Sequence, residues 1–228
     1  MTLRVIAIDG PAASGKSSTA ALVAKGLGWA HLDSGALYRA LTLAALDNIG
    51  AELSAQRILA LAEEMPVRLV LVGDVFRPEV AGVDVKDAIR GERVTRHVSA
   101  VAAIPEVRAW VNARQREAAA QHPSGVVVDG RDIGTVVFPR ADVKIYLDAS
   151  AEERARRRAA DPAHSGGPSA IADVATALSA RDEIDRTRKA SPLVVAADAI
   201  QFDTTGKSVM DVVEEVMVVI RGKLEGKS

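Results

Sequence analysis

The segment best suited to chemistry is Gly10-Pro-Ala-Ala-Ser-Gly15-Lys16-Ser17, whose glycine and lysine spacing is typical of a phosphate-cradling loop. Glycines let successive backbone N–H groups curl around an anion, and a following helix adds its positive dipole end. We expect Lys16 to bridge the β- and γ-phosphates of a nucleoside triphosphate and the Ser17 hydroxyl to ligate Mg²⁺. The motif does not say what happens to that triphosphate, because GTPases, motors and kinases share it.

The flanking residues give this loop the context that it requires. Leu3–Asp9 reads as a buried strand and Ser17–Leu27 as a helix. The predicted nucleotide-binding residues are Gly10, Pro11, Ala12, Ala13, Ser14, Gly15, Lys16, Ser17 and Ser18. A chance glycine turn is the alternative, and the strand before it and the helix after it argue against that alternative.

Arginines are concentrated on two predicted helices, at 151–160 and 169–189. They include Arg154, Arg156, Arg157, Arg158, Arg181 and Arg188. The Gly/Pro-rich residues 161–168 between the helices predict a flexible turn, so the pair could form a lid. Guanidinium groups on a lid could neutralise charge on transferring phosphoryl oxygens, and closure would exclude water. The alternative is a solvated face with Glu–Arg pairs, which we prefer for Arg156.

Two other classes of triphosphate-binding protein lack their expected signals. A GTPase would carry an N/T-K-x-D tetrapeptide after a late strand, and none occurs. A motor would end a strand in paired acids that activate water, whereas Asp129 ends its predicted strand alone. A kinase is therefore the favoured class.

Three more segments carry clustered polar residues. They are LDSGALYR at 32–39, DGRDIGTVVFP at 129–139 and RDEIDRTRKASPL at 181–193. Together with the phosphate loop they resemble the bacterial cytidylate kinase family, in which LDSGxxYR, DGRDxGTVVFP and RDxxDxxRxxxPL are expected in this order. The resemblance covers essentially the whole chain, including the β-rich insert typical of the bacterial-type enzymes.

The resemblance implies a set of residues for the acceptor nucleotide. The residues around the CMP phosphate would be Ser34, Arg39, Arg131 and Arg188, since planar guanidinium forks suit phosphate oxygens. Arg181 and Asp185 would reach the ribose hydroxyls. Tyr38 would stack against or brace the pocket, or it is a core tyrosine.

The resemblance also implies that Ser99, Arg108 and Asp132 read the base. Cytosine presents an N4 amino donor with N3 and O2 acceptors, so a carboxylate should face N4 and an arginine N3 and O2. Uracil presents O4 and N3–H at these places. The mismatch would favour CMP over UMP.

The expected reaction is direct in-line transfer of a phosphoryl group from Mg·ATP to CMP or dCMP. The acceptor phosphate is already an anion at neutral pH, so no general base is required. The residues implied as catalytic are Lys16, Arg131, Arg157, Arg158 and Arg188. Three alternatives remain open: a kinase for UMP, AMP or shikimate, a nucleotide-binding regulator without activity, and a nucleic-acid-binding module.

The order of elements predicts the α/β class. Buried strands at 3–9, 29–32, 125–129, 143–148 and 199–202 alternate with helices, which indicates a five-stranded parallel sheet covered on both faces. The resemblance implies a P-loop kinase fold in one domain. Its parts would be a core at about 1–34, 103–150 and 190–228, an NMP-binding region with an antiparallel insert packed beside the core at about 35–102, and a helical lid at about 151–189.

The composition of the chain limits its expected binding partners and cellular location. The 29 Lys and Arg balance 30 Asp and Glu, which argues against binding nucleic acid or anionic lipid. There is no cysteine and no apolar run of about 18 residues, so we expect a cytoplasmic protein without disulfides or a membrane span, and a monomer.

A few residues have undecided roles. His31, His97, His122 and His164 lack metal-ligand spacing and read as ordinary residues. Asp33 could orient a Mg²⁺-bound water or cap the next helix. Residues 203–207 could hold adenine.

Overall fold

The computed structural model describes residues 3–50, 52–161 and 171–226, and a single twisted sheet forms its centre. The strands are β1 (Val5–Asp9), β2 (Ala30–Asp33), β3 (Val67–Val72), β4 (Val75–Val80), β5 (Val83–Asp84), β6 (Val126–Gly130), β7 (Val143–Asp148) and β8 (Ile200–Asp203). Their order is β3-β4-β2-β6-β1-β7-β8, with β5 paired to β4. The strands β2, β6, β1, β7 and β8 are parallel, which confirms the predicted five-stranded core.

The insert is joined to this sheet. The strands β3 and β4 form an antiparallel hairpin through Gly73, whose positive φ of 61° suits a tight turn. His31 of β2 pairs in parallel with Val75 of β4, so the hairpin extends the main sheet. The sequence predicts a small sheet packed beside the main domain, and that placement is wrong. Strand patterning identified the hairpin but carries no information about which edge it joins.

Helices cover both faces of the sheet. They are α1 (Lys16–Leu27), α2 (Ser34–Asn48), α3 (Ala55–Glu64), α4 (Glu92–Ala103), α5 (Pro105–Ala119), α6 (Ala151–Ala159), α7 (Ile171–Thr187) and α8 (Val209–Glu225). Local signals set their ends: Ser54 caps α3, and Ser208 forms a capping box with Asp211 at the start of α8. The helices predicted at 17–27 and 151–160 agree with α1 and α6 within one residue.

Alternation along the strands divides the core into two clusters. Val5 and Ala7 of β1 pack with α2, α3, α4 and α5, whereas Ile6 and Ile8 pack with α1 and α8 on the other face. Both faces of the central strands are therefore apolar, and polar side chains are displaced to the strand ends. The carboxyl ends of β1, β2 and β6 lie together at one edge of the sheet.

The DGRDIGTVVFP segment contains a feature that no sequence pattern predicted. Residues Ile133–Val137 form one π-helical turn, closed by a hydrogen bond of 2.7 Å from Phe138 N to Ile133 O. Wide turns of this kind are rare in proteins as a whole, and those that occur are often found at functional sites.

Two further points concern the predicted lid and membrane topology. The predicted flexible turn at 161–168 lies outside the described residues, except for Asp161. His164 belongs to the part that is not described. Within the described ranges, no helix combines the length and apolar character needed to cross a bilayer.

Candidate active site

A cavity of about 780 Å³ opens at the carboxyl ends of β1, β2 and β6. The predicted site residues that line it are Ala12, Ala13, Gly15, Lys16, Ser17, Ser18, Ser34, Tyr38, Arg39, Ser99, Arg108, Arg131, Asp132, Arg158, Arg181, Asp185 and Arg188. Gly10, Pro11, Ser14 and Arg157 do not line it. The structure thus brings the phosphate loop and the predicted acceptor residues together in the lining of one cavity.

The loop between β1 and α1 has the shape of an anion cradle. A Cβ at Gly10 would lie 2.1 Å from Leu147 O, so only glycine fits between β1 and β7 here. Ala13 and Gly15 have positive φ values of 61° and 89°. Gly15 caps α1 without a side-chain hydrogen bond, which leaves the first N–H groups of the helix available to phosphate.

Lys16 is held ready for a phosphate partner. Its ammonium group donates to Pro11 O at 3.1 Å, and the side chain is buried. Burial lowers the pKa of Lys16 to about 7, and the positive charge of Arg131 acts in the same direction. A bound triphosphate would favour the protonated form.

Ser17 contacts the buried carboxylate of Asp129. Its hydroxyl donates to Asp129 Oδ2 at 2.5 Å, and Asp129 Oδ1 lies 2.8 Å from His31 Nε2. Burial opposes the charged form of Asp129, yet the His31 hydrogen bond and the charges of His31 and Lys16 lower its pKa. Burial likewise opposes protonation of His31, while Asp129 raises its pKa.

Asp33 takes one of the two roles that the sequence left open, because its side chain caps α2. Its Oδ1 accepts from Gly35 N at 2.9 Å and so caps α2, while Oδ2 lies 3.9 Å from Arg90 on the cavity wall. Burial, and then the charge of Asp129, raises the pKa of Asp33. Hydroxyl and carboxylate oxygens from Ser17, Asp129 and Asp33 are hard ligands of the kind that Mg²⁺ takes alongside substrate phosphates and water.

The predicted base-reading residues form a buried pair. Arg108 Nη2 donates to Asp132 Oδ2 at 2.5 Å, and Arg188 Nη2 lies 3.6 Å from Asp132 Oδ1. The guanidinium of Arg108 stacks 5.3 Å from the centroid of the Tyr38 ring. Tyr38 therefore braces Arg108, and its own hydroxyl donates to Asn112 Oδ1 at 3.4 Å. Ser99 lies on the same wall of the cavity.

Arginines predicted to bind the acceptor phosphate or its ribose converge on this cavity. Arg131 Nε and Arg188 Nη1 donate to the two oxygens of Asp185, at 2.9 and 3.2 Å. Among the described residues, the buried Nε of Arg181 and Nη2 of Arg188 have no hydrogen-bond partner. Burial and neighbouring arginines lower the pKa of Arg181 to about 10. Unsatisfied buried donors in a cationic pocket suit an anionic ligand.

Arg39 completes this wall from α2. It donates to Ile89 O at 3.2 Å and to Thr95 Oγ1 at 2.9 Å, and burial lowers its pKa to about 10. Ser34 begins the same helix, where a Cβ at Gly130 would approach its hydroxyl to 2.5 Å. The glycine thus lets β6 and α2 meet beside the pocket.

The arginines of α6 have different environments. Arg154 is buried and forms an ion pair with Asp182 of α7, whose other oxygen accepts from Ala12 N at 3.3 Å. This pair ties the two predicted lid helices to the phosphate loop. Arg158 lines the large cavity, 3.9 Å from Asp161.

Arg157 lines a second cavity of about 340 Å³, which shares phosphate-loop residues and Arg158 with the larger one. It donates to Glu153 Oε1 at 2.7 Å and to Thr204 Oγ1 at 2.9 Å. Ser14, Thr204 and Lys207 line the same space. The predicted adenine-binding loop at 203–207 therefore borders this cavity.

Sequence reasoning missed several residues of the site. Asp9 is buried at the end of β1 and accepts from the backbone of Ile133 and Gly134. Burial raises its pKa to about 6. Asp9 and Asp129 both end buried strands beside a glycine, a position at which polar residues are functional in α/β folds. That signal could have found both.

The comparisons with known proteins agree on one family. A family model described as "Cytidylate kinase" matches residues 6–222. Cytidylate kinases from Streptococcus pneumoniae strains Hungary19A-6 and ATCC BAA-255 / R6 are each 45% identical over 221 residues, covering 92% of this chain and 94% of theirs.

Solved structures show weaker similarity. TT1252 from Thermus thermophilus matches at a TM-score of 0.47 and 18% identity, covering 98% of this chain and 99% of that one. A shikimate kinase from Acinetobacter baumannii in complex with shikimate matches at a TM-score of 0.46 and 16% identity, covering 97% and 94%. Similarity at this level carries no assignment of substrate.

Proposed function

We propose, from the membership of this chain in the cytidylate kinase family, that it transfers the γ-phosphoryl group of ATP to CMP and releases ADP and CDP. The observation that carries the proposal is that the phosphate loop and a cluster of arginines line one cavity. A phosphoryl donor and a phosphoryl acceptor each need such an anion site. We extend the proposal to dCMP as acceptor.

The chain's residues divide the work between donor and acceptor. The N–H groups of the loop and Lys16 would hold the β- and γ-phosphates, while Arg131 and Arg188 would hold the acceptor phosphate. This positions an acceptor oxygen in line with the γ-phosphorus and neutralises the spreading charge. The acceptor is an anion already, so no side chain has to remove a proton.

Arg158 and Arg181 supply further positive charge on the cavity wall, from the two predicted lid helices. We propose that they act on the transferring group when the lid closes. Arg157 borders the second cavity, so we propose that it acts on the ATP side through Thr204.

We propose Mg²⁺ as the metal, held by the Ser17 hydroxyl with Asp129 and Asp33 nearby. When bound there with ATP, Mg²⁺ would neutralise charge on the β- and γ-phosphate oxygens. His31 fixes one oxygen of Asp129 and leaves the other facing Ser17. The donor set of hydroxyl and carboxylate oxygens fits this ion.

Selection of cytosine rests on Arg108 and Asp132. The carboxylate of Asp132 would accept from the N4 amino group, and Arg108 would donate to N3 and O2. Ser99 is proposed to complete the base contacts and Asp185 to reach the ribose. A uracil in the same place would leave buried polar groups unpaired, which disfavours UMP.

We propose one kinase domain whose NMP-binding region spans about 35–102 and whose lid spans about 151–189. We also propose that the enzyme works as a monomer, in the cytoplasm, where ATP is available. No nucleic acid or membrane is required as a partner.

Measurement of ADP release tests the activity directly. Purified protein is supplied with ATP, Mg²⁺ and, in parallel, CMP, dCMP, UMP or AMP. We expect rapid turnover with CMP and dCMP and slow turnover with UMP and AMP. Folded protein that binds ATP yet releases no ADP with either cytidine nucleotide would contradict the proposal.

A further inference from the structure

Asp9 lies between the phosphate loop and the turn that follows Asp132. It is the last residue of β1, directly before Gly10 of the phosphate loop, and its side chain is only 5% exposed. Neither phosphate group of the proposed reaction requires it. A buried carboxylate without hydrogen bonds would be unfavourable by several kcal/mol, so its partners explain its presence.

Both oxygens of Asp9 bind the π-helical turn. Oδ1 accepts from Ile133 N at 2.8 Å and Oδ2 accepts from Gly134 N at 2.7 Å. The first N–H groups of any helical turn lack partners within the turn, and a negative charge there is favourable. Asp9 therefore holds the start of this turn against the carboxyl end of β1.

The turn has little room to move. A Cβ at Gly134 would lie 3.0 Å from Lys144 Cδ and 3.4 Å from Asp9 Oδ2. A Cβ at Gly130 would lie 2.7 Å from Ile133 Cδ1. A shift at Ile133 would therefore be passed on to Asp132, its neighbour in the chain.

We propose that Asp9 is a positioning residue that fixes Asp132 relative to the phosphate loop and thereby maintains the selection of cytosine. The inference rests on the proposed CMP kinase activity. Asp132 reads the base only if its carboxylate lies at the right distance from Arg108 and the cytosine edge. Misplacement of a reacting or recognition group by about 1 Å can reduce the rate about 100-fold.

The variant Asp9→Asn tests this role with little change of shape. An amide has one acceptor oxygen, and its NH₂ group would face a backbone N–H, so one of the two hydrogen bonds is lost. We expect the ratio of kcat/KM for CMP to that for UMP to fall about tenfold or more, through a higher KM for CMP. The KM for ATP should stay close to that of the wild type.

Asp142→Asn is the matched control. Asp142 Oδ2 accepts from Val5 N at 2.8 Å, so it makes the same kind of bond at the opposite end of β1. A merely structural loss lowers the folded fraction and affects both acceptors equally. D142N should therefore keep the CMP-to-UMP ratio of the wild type.

Gly134→Ala reaches the same turn by a second route. The added methyl group would crowd Lys144 and touch Asp9 Oδ2 while leaving the carboxylate of Asp9 in place, so the ratio should fall here too. Hydrogen exchange at Ile133 and Gly134 should be faster in D9N than in D142N, which is a readout independent of activity.

The measurements distinguish failure of this inference from failure of the proposed function. An unchanged CMP-to-UMP ratio in both D9N and G134A, or an equal fall in D142N, would overturn the inference while leaving the kinase activity intact. If D9N does not fold, G134A decides. Wild-type protein without CMP turnover would contradict the proposed function itself, and this inference with it.

Discussion

Arg108 on α5 and Asp132, 24 residues later in the chain, meet in a buried hydrogen bond of 2.5 Å beneath the acceptor pocket. The pair presents one donor group and one acceptor group side by side, and cytosine needs both. Each residue alone would be an uncompensated buried charge. The pair thus links stability to base recognition.

Replacing Asp132 by Ala should lower kcat/KM for CMP far more than for UMP. Uracil gains nothing from the carboxylate, so the CMP-to-UMP ratio should fall about 100-fold. Parallel steady-state assays of both acceptors measure this, and loss of folded protein cancels in the ratio. The surface pair of Arg114 and Glu117 on the same helix provides a control, since Glu117→Ala should leave the ratio unchanged. Equal losses for CMP and UMP in D132A would remove the base-reading role.

Lys16 should take up a proton when ATP binds near pH 7.5. Burial lowers its pKa to about 7 in the free protein, so much of the lysine is neutral there, and phosphate charge favours the ammonium form. Calorimetric titration of ATP in buffers with different ionisation enthalpies measures the uptake. Lys16→Met should remove this uptake and abolish turnover with every acceptor. Equal proton uptake in K16M and the wild type would show that another group titrates.

Asp129→Asn should raise the Mg²⁺ concentration needed for half-maximal rate by about tenfold or more. The amide retains the shape of the side chain but removes the negative charge next to Ser17. The assay is a Mg²⁺ titration at saturating ATP and CMP. Asp142→Asn, remote from Ser17, should leave the Mg²⁺ requirement unchanged. An unchanged requirement in D129N would place the ion on other residues.

Substitution of Arg157 and substitution of Arg181 should change different kinetic parameters. Arg157 borders the second cavity and binds Thr204, so Arg157→Ala should raise KM for ATP with a smaller effect on kcat. Arg181 lines the main cavity, and its Nε has no hydrogen-bond partner among the described residues, so Arg181→Ala should lower kcat about 100-fold. Full kinetic matrices in ATP and CMP measure both. A kcat loss in R157A as large as that in R181A would return Arg157 to the transferring phosphate.

Asp9 should make the stability of the protein pH-dependent in an unusual direction. Its pKa is raised from the ordinary 3.8 to about 6 on folding, so the folded state binds the proton more tightly. The contribution of Asp9 to the free energy of unfolding is fully present below about pH 4 and is lost as the pH rises through about 6. The change is on the order of 3 kcal/mol. Relative to wild type, D9N should gain stability over this range in denaturant titrations. Parallel curves for the two proteins would contradict the raised pKa.

Local patterns predicted much of this fold. The five buried parallel strands and the helices alternating with them follow from apolar runs, caps and glycine positions. Such signals lie within a few residues of the element that they define. The position of the β-rich hairpin could not follow from them, because it depends on one pairing between His31 and Val75.

The sequence by itself determined the phosphate loop and the acceptor motifs, since their residue types and spacing state the chemistry directly. Only the tertiary structure decided which side chains share an environment. It joined Ser17 to Asp129 and Asp9 to the turn at Ile133, and it placed Arg157 in a second cavity that Arg131 and Arg188 do not line. The physical reason is that sheet register brings residues more than 100 positions apart into contact. A wide π-helical turn also has no periodic signature in a chain.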